Sequence, residues 1–365
     1  MADLLLERVG KVFPGGSVAL SDLDLHVAEA EIVSVLGPSG SGKTTLLRLI
    51  AGLEQVTTGT IRFDGRPAGG LSPRDRNVAM VFQEDALYPH LTVRGNLAFG
   101  AMTRGVGRAE VRRRVAGAAA MLGLEDLLDR LPRTLSGGER RRVAVGRTVV
   151  VEPGCTLYDE PLGGLDGRTA RTLRVELKEI HRRLGRTGVY VTHDFAEAMG
   201  LGDRVLVLAG GRVRQLGSPV DVYDRPADRF VAGFVGDPPM NFLDGVLSRE
   251  DDGRVVFEEP GGVRITLDDS QAGRVAGVGM AIVLGVRPGA LRPSPDGPEA
   301  FTLRVEHVET LGDHADVSGR TSGGAGLTAR VPLRERPRPG ESVSFAAEPG
   351  ALHLFEPGPF GRRLE

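Results

Sequence analysis

The sequence predicts an α/β fold, a mostly parallel sheet covered by helices, followed by a smaller all-β domain. Three observations predict it. Short β-branched runs alternate with helical patterns from the start of the chain to about Asp237. One of these runs leads through a glycine-rich loop straight into a helical pattern. Past Asp237-Pro238-Pro239 the chain alternates apolar with polar residues between Gly, Pro and Asp clusters. A length of 365 residues exceeds what one ordinary core serves, so two domains are expected, 1–236 and 237–365, with the boundary near 236 to 245.

In chain order, Ile32 to Leu36, Thr156 to Tyr158, Val189 to Thr192 and Val205 to Leu208 read as buried strands. Between the first two, Glu110 to Leu122 sets Val111, Val115, Ala118, Ala119 and Leu122 at helical spacing and closes on Gly123 as a C-cap. It suggests a helical insertion over about residues 86–150. In the second half Val263 to Leu267, Phe301 to Val305 and Val343 to Phe345 are short alternating strands, the texture of a small barrel or sandwich.

Composition narrows the function. No stretch approaches the roughly 20 consecutive apolar residues of a membrane-spanning helix, and the opening Met1 to Glu7 lacks a basic leader. The chain is therefore expected to be neither secreted nor inserted by itself. A formal net charge of -2 gives no broad positive field for nucleic acid. The single cysteine, Cys155, sits in an apolar run as core filler and excludes an internal disulfide, which fits a reducing cytoplasm. Of the 46 basic residues only Lys11, Lys43 and Lys178 are lysines. Where lysine nevertheless stands in a glycine-rich loop, as at Lys43, a compact ammonium suits the gap between phosphate oxygens better than a planar fork does.

That loop, Gly37-Pro38-Ser39-Gly40-Ser41-Gly42-Lys43-Thr44, fits the phosphate-loop pattern at every defined position. Its backbone N–H groups and the following helix start would cradle phosphates, Lys43 would reach the β and γ oxygens, and the Thr44 hydroxyl would face Mg²⁺. Cys155 to Asp159, then Glu160, is a strand ending in two carboxylates. Such a pair can simply cap a helix. Downstream of a phosphate loop, Asp159 is read as the Mg²⁺ carboxylate and Glu160 as the group that polarises the attacking water. Leu135-Ser136-Gly137-Gly138-Glu139 opens a polar helix and reads either as an ordinary Ser-capped start or as a second phosphate nest. A second nest implies a second ligand or a site completed by another chain.

Together these motifs resemble, in order and spacing, the ATPase subunits of ABC transporters. That resemblance implies a phosphate-loop NTPase with a RecA-like core and a helical subdomain. It implies ATP as substrate, Mg²⁺ as cofactor, and membership of the nucleotide site for Thr45 as well. Gln83, within Met80 to Leu91, resembles the Q-loop glutamine, which contacts Mg²⁺ and the attacking water and senses the membrane partner. Leu165-Asp166 resembles the D-loop, His193 the switch histidine that contacts the γ-phosphate, and Phe13 the ring placed against adenine. Phe13 could equally be a core aromatic. Ser136, Gly137 and Gly138 would bind the phosphate of a facing protomer in a homodimer. Phe230 to Gly236, Met240 to Leu243, Gly285 to Pro288 and Leu352 to Pro357 resemble the maltose and glycerol-3-phosphate importer subfamily and its C-terminal regulatory domain, an OB/TOBE-like barrel.

The implied partners are two transmembrane permease subunits, indirectly an extracytoplasmic solute-binding protein, and a regulatory protein or metabolite at the C-terminal domain. The implied location is the cytoplasmic face of the membrane. Sugar or a sugar or polyol phosphate is the expected solute, with iron, sulfate, phosphate and polyamine as alternatives. A soluble ATPase acting on nucleic acid, or a metabolite-sensing regulator, are rivals of another class. Several positions depart from the family pattern: Glu139 where glutamine is usual, Tyr158 in place of an aliphatic residue, and Gly163-Gly164 where a serine is common. Glu139 is expected to lie near phosphates or to pair with Arg142 or Arg147.

Overall fold

Runs too apolar to face water on either side become the strands of one buried sheet. The computed structural model describes residues 2–84, 86–260, 262–268, 272–273, 279–294, 301–348 and 350–364, and the chain divides into two units, Met1–Pro219 and Val220–Glu365. The first unit runs β1 (Leu4–Val12), β2 (Val18–Val27), β3 (Ile32–Leu36), α1 (Lys43–Ala51), β4 (Thr58–Phe63), β5 (Arg66–Pro67), β6 (Val78–Val81), α2 (Val93–Thr103), α3 (Arg108–Leu122) and α4 (Gly137–Val151). It continues through β7 (Cys155–Asp159), α5 (Gly167–Leu184), β8 (Thr187–Thr192), α6 (Phe195–Leu201), β9 (Arg204–Ala209) and β10 (Arg212–Gly217).

The main sheet has the order β10-β9-β3-β8-β7-β6, parallel from β9 to β6 with β10 antiparallel at the edge. β3, β7 and β8 are buried at every position, as strands covered on both faces must be. On one face, α1 (Leu46, Leu49, Ile50) shares a core with Leu4 and Leu6 of the antiparallel sheet β2-β1-β4-β5. On the other, Leu97, Val115, Val145 and Leu177 of α2, α3, α4 and α5 pack with Tyr158 and Tyr190. α3 ends on Gly123 at φ 62, the left-handed C-cap its sequence predicts. The strand order has one functional consequence: the loops leaving β3, β8, β7 and β6 line up along the carboxyl edge of the sheet, where open α/β folds bind ligands.

The second unit opens with α7 (Pro219–Asp224) and α8 (Arg229–Phe234), then the strands β11 (Asn241–Arg249), β12 (Val255–Glu258), β13 (Arg264–Thr266), β14 (Ala281–Val286) and β15 (Leu291–Pro293). β16 (Phe301–Thr310), β17 (His314–Thr321), β18 (Gly326–Pro332), β19 (Ser342–Ala347) and β20 (Leu352–Phe355) complete it. Two antiparallel sheets, β13-β12-β11-β14-β20 and β15-β19-β16-β17-β18, enclose a single core, with alternate residues such as Phe301, Leu303 and Val305 pointing inward. Asn241 of β11 spans the gap between the sheets, donating to the Thr328 carbonyl at 2.8 Å and accepting from the Thr328 N–H at 2.8 Å.

The change of texture at Asp237 falls later than the division between the units. Buried Arg287, after β14, donates to the carbonyls of Tyr223 at 2.6 Å, Ala232 at 3.1 Å and Val235, while Asp228 caps α8 through the Val231 N–H at 2.8 Å. These bonds hold α7 and α8 to the β-rich unit. Helical periodicity in residues 219–234 masks that attachment in the sequence, because its partner lies more than fifty residues further on.

Candidate active site

The loop after β3 is shaped by close approach. Gly42 precedes α1 at φ 105, and a Cβ there would stand 2.5 Å from the Ala19 carbonyl oxygen. Only glycine fits that backbone. α1 has neither a side-chain cap nor an acidic residue in its first turn, so its first N–H groups stay open to an anion. Lys43 Nζ is drawn back into the loop, donating to the Gly37 carbonyl at 2.7 Å and the Pro38 carbonyl at 2.9 Å. Burial pushes its pKa down, against the opposing pull of Glu160 and Asp159. Ser41 Oγ is buried without a hydrogen-bond partner, an orphaned hydroxyl inside a cradle otherwise made of backbone. A phosphate oxygen is the kind of partner such a hydroxyl lacks.

Opposite the loop, Thr44 Oγ1 donates to Asp159 Oδ1 at 3.3 Å. Burial raises the Asp159 carboxyl above its usual range, while the Thr44 hydrogen bond partly offsets the effect. One hydroxyl and one carboxylate beside a phosphate cradle suit Mg²⁺, which takes few protein oxygens and fills its shell with phosphate and water. Among the described residues no group of three or more His, Cys, Asp or Glu side chains could hold a metal by itself.

Glu160, the next residue, holds φ 44, an uncommon left-handed conformation for a side chain of its size. Its N–H donates to the Val191 carbonyl of β8 at 2.9 Å, and its Oε2 lies 2.9 Å from His193 Nδ1. Adjacent parallel strands thus deliver a carboxylate and an imidazole to one point. Strain of this kind persists only where the surroundings impose it, and such places are frequently functional. Behind His193, Glu197 of α6 accepts from the Thr192 hydroxyl at 2.8 Å and the Tyr190 hydroxyl at 2.9 Å, and Asp194 caps α6 through the Glu197 N–H at 2.8 Å. Burial raises the Glu197 carboxyl. This brace is not legible in the sequence. Its only signal there was Asp194 three residues before Glu197, a helix-start pattern.

Gln83 follows β6 and its side chain is exposed. Asp85 of the same loop lies outside the described residues. Ser136 caps α4, and Glu139 closes a capping box, accepting from the Ser136 N–H at 2.7 Å while its own N–H donates to Ser136 Oγ at 3.3 Å. The expected pairing of Glu139 with Arg142 or Arg147 does not form. Arg142 bonds Glu176 at 2.8 Å and Arg147 donates to the Ala86 carbonyl at 2.8 Å. The Ser136 N–H is nearer to Glu139 and holds its carboxyl below the usual range. Gly138 packs closely on α5, where a Cβ would stand 3.1 Å from Thr169 Cγ2, and Gly137 lies against Leu165. Asp166 caps α5 by accepting from the Thr169 N–H at 3.0 Å. Tyr158 fills the core beside Tyr190, their ring centroids 5.7 Å apart. Phe13 is half-buried, with Lys11 Nζ 4.9 Å from its ring centroid.

An open phosphate cradle, an acidic pair and a histidine on adjacent strands form the arrangement of an ATPase. A family model described as ABC transporter matches residues 20–163, one described as MalK OB fold domain matches 236–291, and one described as TOBE domain matches 284–355. The sn-glycerol-3-phosphate import ATP-binding protein UgpC of Burkholderia pseudomallei is 47% identical over 359 residues, covering 98% of each chain. The chain belongs to the ABC transporter ATP-binding family. The UgpC of Cupriavidus pinatubonensis is 43% identical over the full length of both chains. Among solved structures, cbiO1 of Clostridium perfringens, part of the ABC transporter complex cbiONQ, is 30% identical with a TM-score of 0.57, over 60% of this chain and 89% of that one. The dimeric post-hydrolysis state of the ATP-binding cassette MJ0796 bound to ADP and Pi is 31% identical with a TM-score of 0.53, over 59% of this chain and 98% of that one. This ABC protein is an ATP-hydrolysing subunit of an import system with membrane components, and its second unit carries the OB and TOBE folds.

Proposed function

We propose that two copies of this ABC subunit close on two ATP molecules, each held between the phosphate loop of one copy and Ser136-Gly137-Gly138 of the other. The cycle drives import of sn-glycerol-3-phosphate through two membrane permeases at the cytoplasmic face. The observation that carries the reading is the alignment of four loops, after β3, β8, β7 and β6, along one sheet edge.

In this reading the N–H groups of Ser39 to Thr45 and the Lys43 ammonium bind the triphosphate, and Lys43 exchanges its carbonyl partners for phosphate oxygens. Thr44, Asp159 and Gln83 hold Mg²⁺, which when bound neutralises charge on the β- and γ-phosphate oxygens. Glu160 orients water for in-line attack. His193, with Nδ1 engaged by Glu160, offers Nε2 to the γ-phosphate. Phe13 stacks on the adenine, backed by Lys11. Because contacts to the γ-phosphate would bridge two chains, hydrolysis would remove a differential interaction between closed and open states, the requirement for a ligand-driven motion.

Relatives at 43% to 47% identity along the whole chain, each named for sn-glycerol-3-phosphate import, support this choice of solute. Reconstitution in liposomes with the permeases encoded beside it tests the assignment. Binding protein loaded with sn-glycerol-3-phosphate should stimulate ATP hydrolysis severalfold and maltose should not. Equal rates with both, or with neither, would contradict it.

A further inference from the structure

Arg141 sits on α4, the signature helix, just past the signature Leu135 to Glu139, with its side chain almost fully buried at 5% residue exposure. Its guanidinium leaves the helix to bond main chain elsewhere. Nη1 donates to the Phe82 carbonyl at 3.0 Å, and Nη2 donates to the Gln83 carbonyl at 2.9 Å and the Gly163 carbonyl at 3.4 Å. One rigid fork of donors therefore joins three segments: the signature helix, the backbone of the Q-loop glutamine, and the turn that follows Glu160.

A second arginine of the same helix grips the far side of the loop. Arg147 Nη1 donates to the Ala86 carbonyl at 2.8 Å and its guanidinium carbon lies 4.9 Å from the Tyr88 ring centroid. The loop's exit is fixed from α2, where buried Asn96 bonds both the N–H and the carbonyl of Tyr88. Gln83 itself projects an exposed side chain from a main chain held by these bonds. Parting the three segments would break main-chain hydrogen bonds made by a buried charged group, so they are favoured to move together.

We propose that Arg141 is a positioning residue that sets the Gln83 backbone from the signature helix, so that displacement of that helix within one chain is felt directly at the Q-loop and at the turn after Glu160. The proposal rests on the assignment of Gln83 to the ATPase site given above. Arg141 does not touch the nucleotide. Its effect passes through Gln83.

A double-mutant cycle on the full-length chain tests it, with Mg-ATP hydrolysis measured for Arg141→Met, Gln83→Ala and the pair. Arg141→Met is expected to lower kcat by about tenfold or more while KM for ATP stays within about twofold, since misplacement of a catalytic group costs turnover before binding. The double variant is expected to be no slower than Gln83→Ala alone, and Arg141→Lys to restore part of the rate. Effects that multiply in the double variant, or an unchanged kcat in Arg141→Met, would overturn the proposal and leave the Gln83 assignment intact. An unimpaired Gln83→Ala would overturn that assignment and the proposal with it. Should Arg141→Met not fold, Arg141→Lys and Arg141→Gln carry the same cycle with the same criterion.

Discussion

Individual side chains in this protein are tuned by what surrounds them, and His353 gives the clearest measurable case. It lies buried in β20 with Nδ1 unpartnered, and desolvation together with Arg363 and Arg287 pushes its pKa down to about 4. In the unfolded chain it takes up a proton near the ordinary value of 6.5. The unfolded state therefore binds more protons between those values, and the stability of the β-rich unit falls as pH drops from about 6.5 toward 4. Urea unfolding read by hydrogen exchange in β14 and β20 should show a loss of ~2.5 kcal/mol by pH 4.5 relative to pH 7, beyond that of His353→Leu. Parallel pH profiles for the two proteins would disprove it. Lys43 illustrates what composition can reveal at this scale: in a chain that writes arginine nearly everywhere, a lysine in a glycine-rich loop stands out, and the structure places its ammonium inside that loop, on the Gly37 carbonyl. Glu139 shows the opposite. Its identity was visible, but the choice among acceptable partners depended on local geometry, and the nearest backbone N–H won.

Elements here are held in place by a few long-range side chains. Asn96 on α2 is wholly buried and makes four hydrogen bonds, to the Tyr88 N–H and to the carbonyls of Tyr88, Leu91 and Thr92. Asn96→Ala would strand buried polar groups of the 88–92 turn, and a loss of about 3 kcal/mol in urea denaturation with an unchanged m-value is expected. A loss under about 0.5 kcal/mol would show that the turn is satisfied another way. Strands β3, β7 and β8, the loop before α1 and the C-cap of α3 were legible in the sequence because their signals are local: apolar runs, fixed glycine spacing and a helical period ended by glycine. The attachment of α7 and α8 to the β-rich unit was not, because Arg287 sits 52 residues from Val235 and nothing near either residue announces the other. The braces around the site escaped for the same reason. Arg141 reaches Gln83 across 58 residues, and Glu197 reads as an ordinary first-turn carboxylate until Thr192 and Tyr190 fold against it.

At the level of the whole chain, strand order is what turns scattered motifs into a site. Thr44, the Asp159-Glu160 pair and His193 are far apart in sequence, yet β3, β8 and β7 are neighbours, so a hydroxyl meets one carboxylate and an imidazole meets the other in direct hydrogen bonds. The sequence could name these residues through motif spacing and family resemblance. That Glu160 and His193 bond each other could be learned only from the sheet. In the proposed function Glu160 aims water at a phosphate held by the glycine loop. The most direct measurement is Mg-ATP binding and phosphate release by purified Glu160→Gln beside the wild-type chain. ATP affinity within about threefold of wild type is expected, with phosphate release lowered by about 10²-fold or more and a stable ATP-bound dimer on size exclusion. Phosphate release at the wild-type rate would contradict it.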